Sequence, residues 1–308
     1  MTIASSSKHL DLKLRQISDL PALPTALQRV IGVLDDPMSS TNDLESALIL
    51  DPGLTLKVIK LANSAYYAIP GGSASLARCI SFLGQGAIYQ IVLASSIFSA
   101  LQIRHPDFNL DQFWRHSVGT AVLAQRLADI AGLDRPELAF LGGLIHDTGK
   151  LALLHIDSTG FWKTIQAAKE AKVSLFEWEK AQGLMTHAEV GAALGQHWRL
   201  PPELIAIIRY HHQLDRTRRI EIFEELSPYI DAVALANEAV RALSFGFSGN
   251  SMSKNLPHGI LRRLQVKPDA LPQLFVDFRE DLARAELLCS ALVAGIDSGH
   301  EGGQGERQ

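Results

Sequence analysis

Cysteine is scarce in this chain: Cys79 and Cys289 are the only two among 308 residues. That scarcity excludes a disulfide framework and a cysteine-rich zinc fold, and it fits a reducing cytoplasm. A basic surplus is also lacking. The 29 Lys+Arg stand against 33 Asp+Glu, a formal net charge of −4, which argues against a dedicated nucleic-acid binder. The first residues hold no apolar stretch, so no secretory signal is read there. Sustained alternation of apolar and polar residues is missing, which removes the main signature of strands. Also missing are a Walker-type phosphate loop, a GxSxG elbow and a dinucleotide fingerprint. What is present is 47% hydrophobic residues, enough for a sizeable core and too many for a mostly disordered chain.

One stretch, from 79 to 103, carries no charged residue. A membrane-spanning helix needs about 20 mostly apolar residues. Here Gly84-Gln85-Gly86 interrupts the run, and Gln90, Ser95, Ser96, Ser99 and Gln102 follow. The reading is a short helix, a turn and a buried core helix, with no membrane segment.

Apolar residues recur at three and four spacing nearly throughout, which predicts an all-α chain. Asn42 with Glu45 predicts a helix start, and Asp51-Pro52-Gly53 its end. Further helices are predicted over 54–62, 76–82 and on to about 101. Asp111 is read as the cap of a helix reaching Ile130. A helix from Pro136 is expected to run into the sequence GGLIHDTGK, 142–150. Others follow over 161–171, 174–183, 186–198 and 202–212. Ser227-Pro228, a cap followed by proline, opens one that runs to about 243. Arg216, Arg218 and Arg219 read as a solvated basic loop. Trp114, Trp162, Trp178 and Trp198 are assigned to the core or to domain contacts.

The eleven histidines divide unevenly. His146 and Asp147 are adjacent, and imidazole nitrogen with carboxylate oxygen is a ligand set for Zn, Fe, Mn or Ni. His116 falls between Phe113 and Thr120 on an inward stripe. His187 shares a face with Val190 and Leu194, and His211 with Leu204, Ile207 and Ile208, with His212 beside it. One histidine on an apolar face is ordinarily a satisfied core residue. Several on consecutive helices beside a His-Asp pair are what a bundle needs to build a metal site. His9, His105, His155, His197, His258 and His300 have no such placement and read as surface or structural.

These motifs carry a resemblance. LPALP (20–24), DPGL (51–54), LANSA (61–65), ISFLG (80–84), FWRHS (113–117), GLIHDTGK (143–150), THAEVG (186–191), WRLP (198–201) and YHH (210–212) occur in one order. Together they resemble the HDOD family, a bacterial signalling branch of the HD superfamily of metal-dependent phosphohydrolases. The resemblance covers about 14 to 242. It implies an all-α HDOD fold with an N-terminal helical lobe packed on an HD-like helical bundle. The implied organisation is a flexible N-terminus (1–12), the N-terminal lobe (13–104) and the HD-like lobe (105–243). A loop with C-terminal helices (244–294) and a disordered tail (295–308) follow.

The resemblance also implies a ligand set. His116, the pair His146 and Asp147, and a final position at Asn237 correspond to the metal ligands of HD enzymes. His187, His211 and His212 resemble the histidines that hold a second ion in HD-GYP phosphodiesterases. Lys150 matches a lysine that touches substrate phosphate there. Asp147 and Lys150 are thus the catalytic candidates, with one or two divalent ions (Fe, Mn, Zn or Ni) as cofactors. Asn237 departs from the pattern, because an amide lacks the charge of a carboxylate and is a weaker ligand. Asp231, on another face of the same helix, does not replace it.

The expectation is a cytoplasmic regulatory protein with a partly retained HD-type metal or ligand pocket, acting through a signalling protein partner. The alternative is a metal-dependent phosphohydrolase acting on a nucleotide or cyclic nucleotide, with a cyclic di-GMP-related compound as a candidate ligand.

Overall fold

A computed structural model describes Leu20 and residues 22–36, 38–103, 105–220, 222–250 and 258–297. Among the described residues the regular elements are helices, and the single β-type pairing is an isolated bridge between His105 and Phe108. The chain divides into two compact units, one over 22–102 and 283–308, the other over 103–282 with the first residues.

The smaller unit contains α1 (Thr25–Asp35), α2 (Thr41–Ile49), α3 (Pro52–Ala62) and α4 (Leu76–Ala100). Its core is built from Leu27, Val30, Leu44, Leu48, Val58, Cys79, Val92 and Phe98. The helix starts differ from the sequence reading. Ser40 caps α2, accepting from the Asp43 amide while the Asp43 carboxylate returns to the Ser40 amide. Asn42 lies inside the helix. Asp51 caps α3 by accepting from the Leu54 amide at 2.9 Å. The turn DPG therefore opens a helix as much as it closes one. Asn63 holds the next connection, with Nδ2 donating to the Ile59 and Ser73 carbonyls and Oδ1 accepting from the Ser73 amide.

The predicted break at Gly84 is present: its φ of 81° and ψ of 165° interrupt α4. Such a backbone is open to glycine at little cost. By length and composition α4 could cross a membrane, and 56% of its most apolar window is buried in the protein. The uninterrupted part, 85–100, is shorter than the about 20 residues a span needs.

The larger unit holds the remaining helices. These are α5 (Leu110–Ile130), α6 (Pro136–Ile145), α7 (Thr148–Ile156), α8 (Ser158–Glu170), α9 (Leu175–Ala181), α10 (His187–His197), α11 (Pro202–Tyr210), α12 (Ser227–Ala242) and α13 (His258–Arg263). The last helix, α14 (Leu271–Asp297), begins here and ends among the residues of the smaller unit. It extends two residues past the point where the tail was expected to begin. The expected flexible N-terminus and residues 298–308 lie outside the described residues, as does 251–257, the second half of the 244–257 loop.

Several starts are again displaced. Asn109 caps α5 by accepting from the Gln112 amide, and Asp111 sits in the first turn. Ser227 is the first residue of α12 and makes no side-chain cap. GGLIHDTGK is one helix end and one helix start, because α7 begins at Thr148. The sequence reading lacked α7.

In this unit α6 packs on α5, α12 lies across both, and α10 bridges α7 and α11. The crossing of α7 and α10 is unusually close. A Cβ on Gly149 would overlap the His187 carbonyl oxygen and stand 2.5 Å from the Gly191 amide nitrogen. Only hydrogen fits there, and this proximity sets the spacing between the His146-Asp147 corner and His187.

Candidate metal centre

The corner between α6 and α7 presents His146 and Asp147 to the interior, and both are fully buried. Around them stand His116 from α5, His187 at the start of α10, and His211 and His212 at the end of α11. All are buried except His212, which is half-buried. Of the scattered histidines, His155 and His197 are exposed.

Asp147 is the hub. Its Oδ2 lies 3.3 Å from His146 Nε2 and 3.8 Å from His116 Nε2. Its Oδ1 lies 3.4 Å from His187 Nε2 and 3.6 Å from His211 Nε2. His212 Nε2 is 2.9 Å from His187 Nε2. Two ligand sets result, sharing Asp147: His116 with His146, and His187 with His211 and His212.

Ring orientation is fixed from behind. His146 Nδ1 is 2.7 Å from the Gly143 carbonyl, and His211 Nδ1 is 2.7 Å from the Ile208 carbonyl. A carbonyl can only accept, so each Nδ1 carries the proton and each Nε2 turns a lone pair inward. His187 Nδ1 is held at 2.7 Å by Glu179, a buried carboxylate on α9. Such partners behind a ring orient it and raise its basicity as a ligand.

The inward atoms are unsatisfied. His116 Nε2, His146 Nε2, His211 Nε2 and Asp147 Oδ1 are buried without a hydrogen-bond partner. At about 1–3 kcal/mol each, four such atoms would cost on the order of 4–12 kcal/mol, comparable with the whole stability of a domain. The His146 and His211 Nε2 atoms and Asp147 Oδ1 are acceptors that converge beside His116 Nε2, so a cation is the group that satisfies them together. Nitrogen ligands with one carboxylate fit Zn, Fe, Mn or Ni. Burial, reinforced by the His146 ring, holds His116 well below its ordinary pKa, and burial takes His211 down to about 3. Both are neutral near pH 7, the form that ligates a metal. Burial opposes ionisation of Asp147, but neighbouring positive charge, with the Lys150 ammonium at 2.6 Å, outweighs it and holds the carboxyl well below its usual range.

Lys150 is neither solvated nor past a helix end. It lies in α7 with 2% exposure. Its Nζ donates to Asp147 Oδ2 at 2.6 Å and to Ser248 Oγ at 3.2 Å. Asn237 is buried on α12, and its Oδ1 has no hydrogen-bond partner. It stands one turn before Arg241, whose charge acts on His116, Lys150 and His212. Asp231 is occupied elsewhere. Its carboxylate accepts from Arg216 (2.7 Å), Arg219 (2.6 Å) and Arg263 (2.6 Å). Arg219 is therefore buried in an ion cluster, and only Arg218 of the basic run matches the solvated reading, at 68% side-chain exposure.

Sequence reasoning missed Glu179 and Ser248. Glu179 did leave a signal: it follows Leu175 by four residues, and these two are the buried residues of α9. An acid on the apolar stripe of a short helix needs a partner. Ser248 lies in an irregular loop and left none.

Comparison with known proteins gives the same picture. The family model for the HDOD domain matches residues 20–214. A Treponema pallidum protein is 25% identical over 256 residues, 82% of this chain. The chain spans about half the length of that curated relative, 48%. Among solved structures, an HDOD domain protein of unknown function from Geobacter sulfurreducens has a TM-score of 0.74 at 23% identity, covering 91% of this chain and 99% of its own. A candidate phosphohydrolase from Shewanella amazonensis has a TM-score of 0.70 at 24% identity, covering 91% and 97%. A candidate signal transduction protein from Marinobacter aquaeolei has a TM-score of 0.74 at 21% identity, covering 95% and 66%. At these identities the structures establish the shared fold.

Proposed function

This chain belongs to the HDOD family, and from that premise we propose that it is a regulatory signal-transduction module whose HD-type pocket holds a divalent metal ion. The observation that carries the reading is the asymmetry of Asp147. On the Oδ1 side stand His187, His211 and His212, with His187 oriented by Glu179. On the Oδ2 side stand two histidines and an ammonium already at 2.6 Å. The Oδ1 side is suited to hold an ion tightly. The Oδ2 side already carries a positive charge at hydrogen-bond distance, so a second ion binds weakly there.

Two ions are what a phosphodiester hydrolase uses to stabilise both attacking and leaving oxygens, and one bound ion supplies Lewis acidity alone. In this reading the chain's own residues bind and orient. Glu179 fixes the His187 tautomer, Lys150 neutralises Asp147, and the buried rings exclude water. The output is contact with a signalling protein partner, in keeping with the Marinobacter protein's name. A cytoplasmic setting, which suits a chain with two buried cysteines, belongs to the same proposal.

The second reading is a metal-dependent phosphohydrolase, in keeping with the Shewanella protein's name. One observation favours it: His212 is half-buried, so the Oδ1 side is within reach of solvent. Elemental analysis of purified protein, with His116→Ala and His211→Ala variants, tests the metal reading. About one ion per chain, kept in His116→Ala and lost in His211→Ala, is expected. No metal in either background after reconstitution overturns it. Turnover of a nucleotide or cyclic dinucleotide that disappears in His211→Ala would install the hydrolase reading instead.

A further inference from the structure

Beside the metal centre the end of α9, the turn at 182–186 and the segment 209–220 enclose a cleft of about 450 Å³. Sites for small molecules run to roughly 300–1,000 Å³. Three cations line it, Lys180, Arg209 and Arg218, against a single acid, Glu189. The Glu189 carboxylate is committed to the start of α10, accepting from Thr186 N at 2.8 Å and Thr186 Oγ1 at 2.9 Å. Arg218 shares a 3.4 Å pair with the exposed Asp215. Lys180 and Arg209 have no carboxylate partner among the described residues. This concentration of positive charge occurs in a chain whose net charge is −4.

The remaining wall has aromatic and apolar side chains together with Thr186 and Gln213. Phe176 lies in the cleft, with Lys180 Nζ 5.5 Å from its ring centre. The same ring stacks on His212, with centroids 4.6 Å apart and planes 29° from parallel. Tyr210 is fixed in the wall by its hydroxyl, which donates to the Ile220 carbonyl at 2.9 Å. Ile220 itself is 63% exposed.

We propose that this cleft binds an organic phosphate of nucleotide size. The phosphate meets Lys180, Arg209 and Arg218, and a planar ring lies against Phe176 and Tyr210. Lys180 and Arg209, without a carboxylate partner among the described residues, call for an anion, and guanidinium groups match phosphate oxygens in geometry. A bare inorganic anion would leave the aromatic wall and Ile220 unused, and a neutral ring would leave the cations unmatched. The inference goes beyond the metal reading, because it stands on the cleft alone. Phe176 touches both the cleft and His212, so an occupant would be felt at the half-buried edge of the ligand cluster.

The test is equilibrium binding of ADP to the full chain as purified, with adenosine and pyrophosphate as partial probes. ADP is expected to bind with an affinity that falls as salt rises, and each partial probe at least tenfold more weakly. Arg209→Gln and Lys180→Gln are each expected to weaken ADP by roughly tenfold, the scale of one charge-assisted contact. Both side chains are exposed, so the variants should keep the parent's circular dichroism and melting temperature. Arg29→Gln, in the other unit, should bind ADP as the parent does. The proposal falls if the Lys180→Gln/Arg209→Gln double variant binds ADP like the parent. It also falls if adenosine or pyrophosphate binds as tightly as ADP, or if ADP does not bind at millimolar concentration. Lys180 and Arg209 belong to neither ligand set, so these variants leave the metal ligands in place and failure here is separable from failure of the metal reading.

Discussion

The ammonium of Lys150 sits 2.6 Å from Asp147 Oδ2, while Asp147 Oδ1 is buried with no hydrogen-bond partner. One carboxylate thus offers one oxygen that is already neutralised and one that is free to ligate. Replacing Lys150 by Met keeps the volume and removes the cation. Lys150→Met is expected to lower the stability of the metal-free protein, because a buried charge loses its partner, by about 3–5 kcal/mol. It is also expected to raise bound metal from about one to about two ions per chain. Urea unfolding with and without metal, together with elemental analysis, measures both effects.

Glu179 touches no inward-facing atom, yet it determines which nitrogen of His187 carries the proton. Glu179→Ala should leave the fold intact and weaken metal binding by roughly 10–100-fold, the usual effect of losing such a partner. A chelator competition titration reads the affinity, and Glu179→Gln, which can still accept from Nδ1, should recover part of it.

Gly149 faces the backbone of His187 and Gly191, which cannot swing aside as a side chain could. Gly149→Ala should force α7 away from α10 and destabilise the protein by about 1–3 kcal/mol or more. The two strands of ligands ride on those helices, so metal content should drop with it. Denaturant midpoint and elemental analysis on the same sample check the coupling.

Asp231 makes an acid-sensitive lock away from the metal centre. Burial opposes its ionisation, but Arg263, Arg219 and Arg216 outweigh that and lower its pKa below the ordinary 3.8. Below 3.8 the unfolded chain takes up this proton while the folded chain resists it, so stability falls as pH falls. Above that value the contribution is complete. Asp231→Asn should lose about 3–5 kcal/mol at neutral pH, because three guanidinium groups are left facing no carboxylate. Its stability should also be flatter than the parent's between pH 4 and the folded pKa. Melting temperature against pH for both proteins decides it.

Legibility in the sequence followed the range of the interaction. Helical periodicity is local, so the helices over 161–171, 186–198 and 202–212 were found close to their true bounds. Caps depend on which of several polar residues turns back, and Ser40, with Asp43 three residues on, prevailed over Asn42. The helix α7 was missed because Thr148-Gly149 reads as a break, whereas the glycine is there for the close approach of α10. Lys150 could be assigned to the site only through the resemblance, because nothing local shows that Asp147, three residues earlier on the inner side of the corner, will hold it.

The sequence by itself determined the all-α class, the family and the separation of five converging histidines from six scattered ones. Those follow from periodicity and from motif order, which are properties of the chain in one dimension. Only the tertiary structure decided how Asp147 divides its two oxygens, that Glu179 stands behind His187, and that Lys180 and Arg209 line one cleft. Each of these is a distance between groups on different helices or across a helix corner. Such distances are fixed by how closely side chains and glycines let the helices cross, and the order of residues along the chain does not contain them.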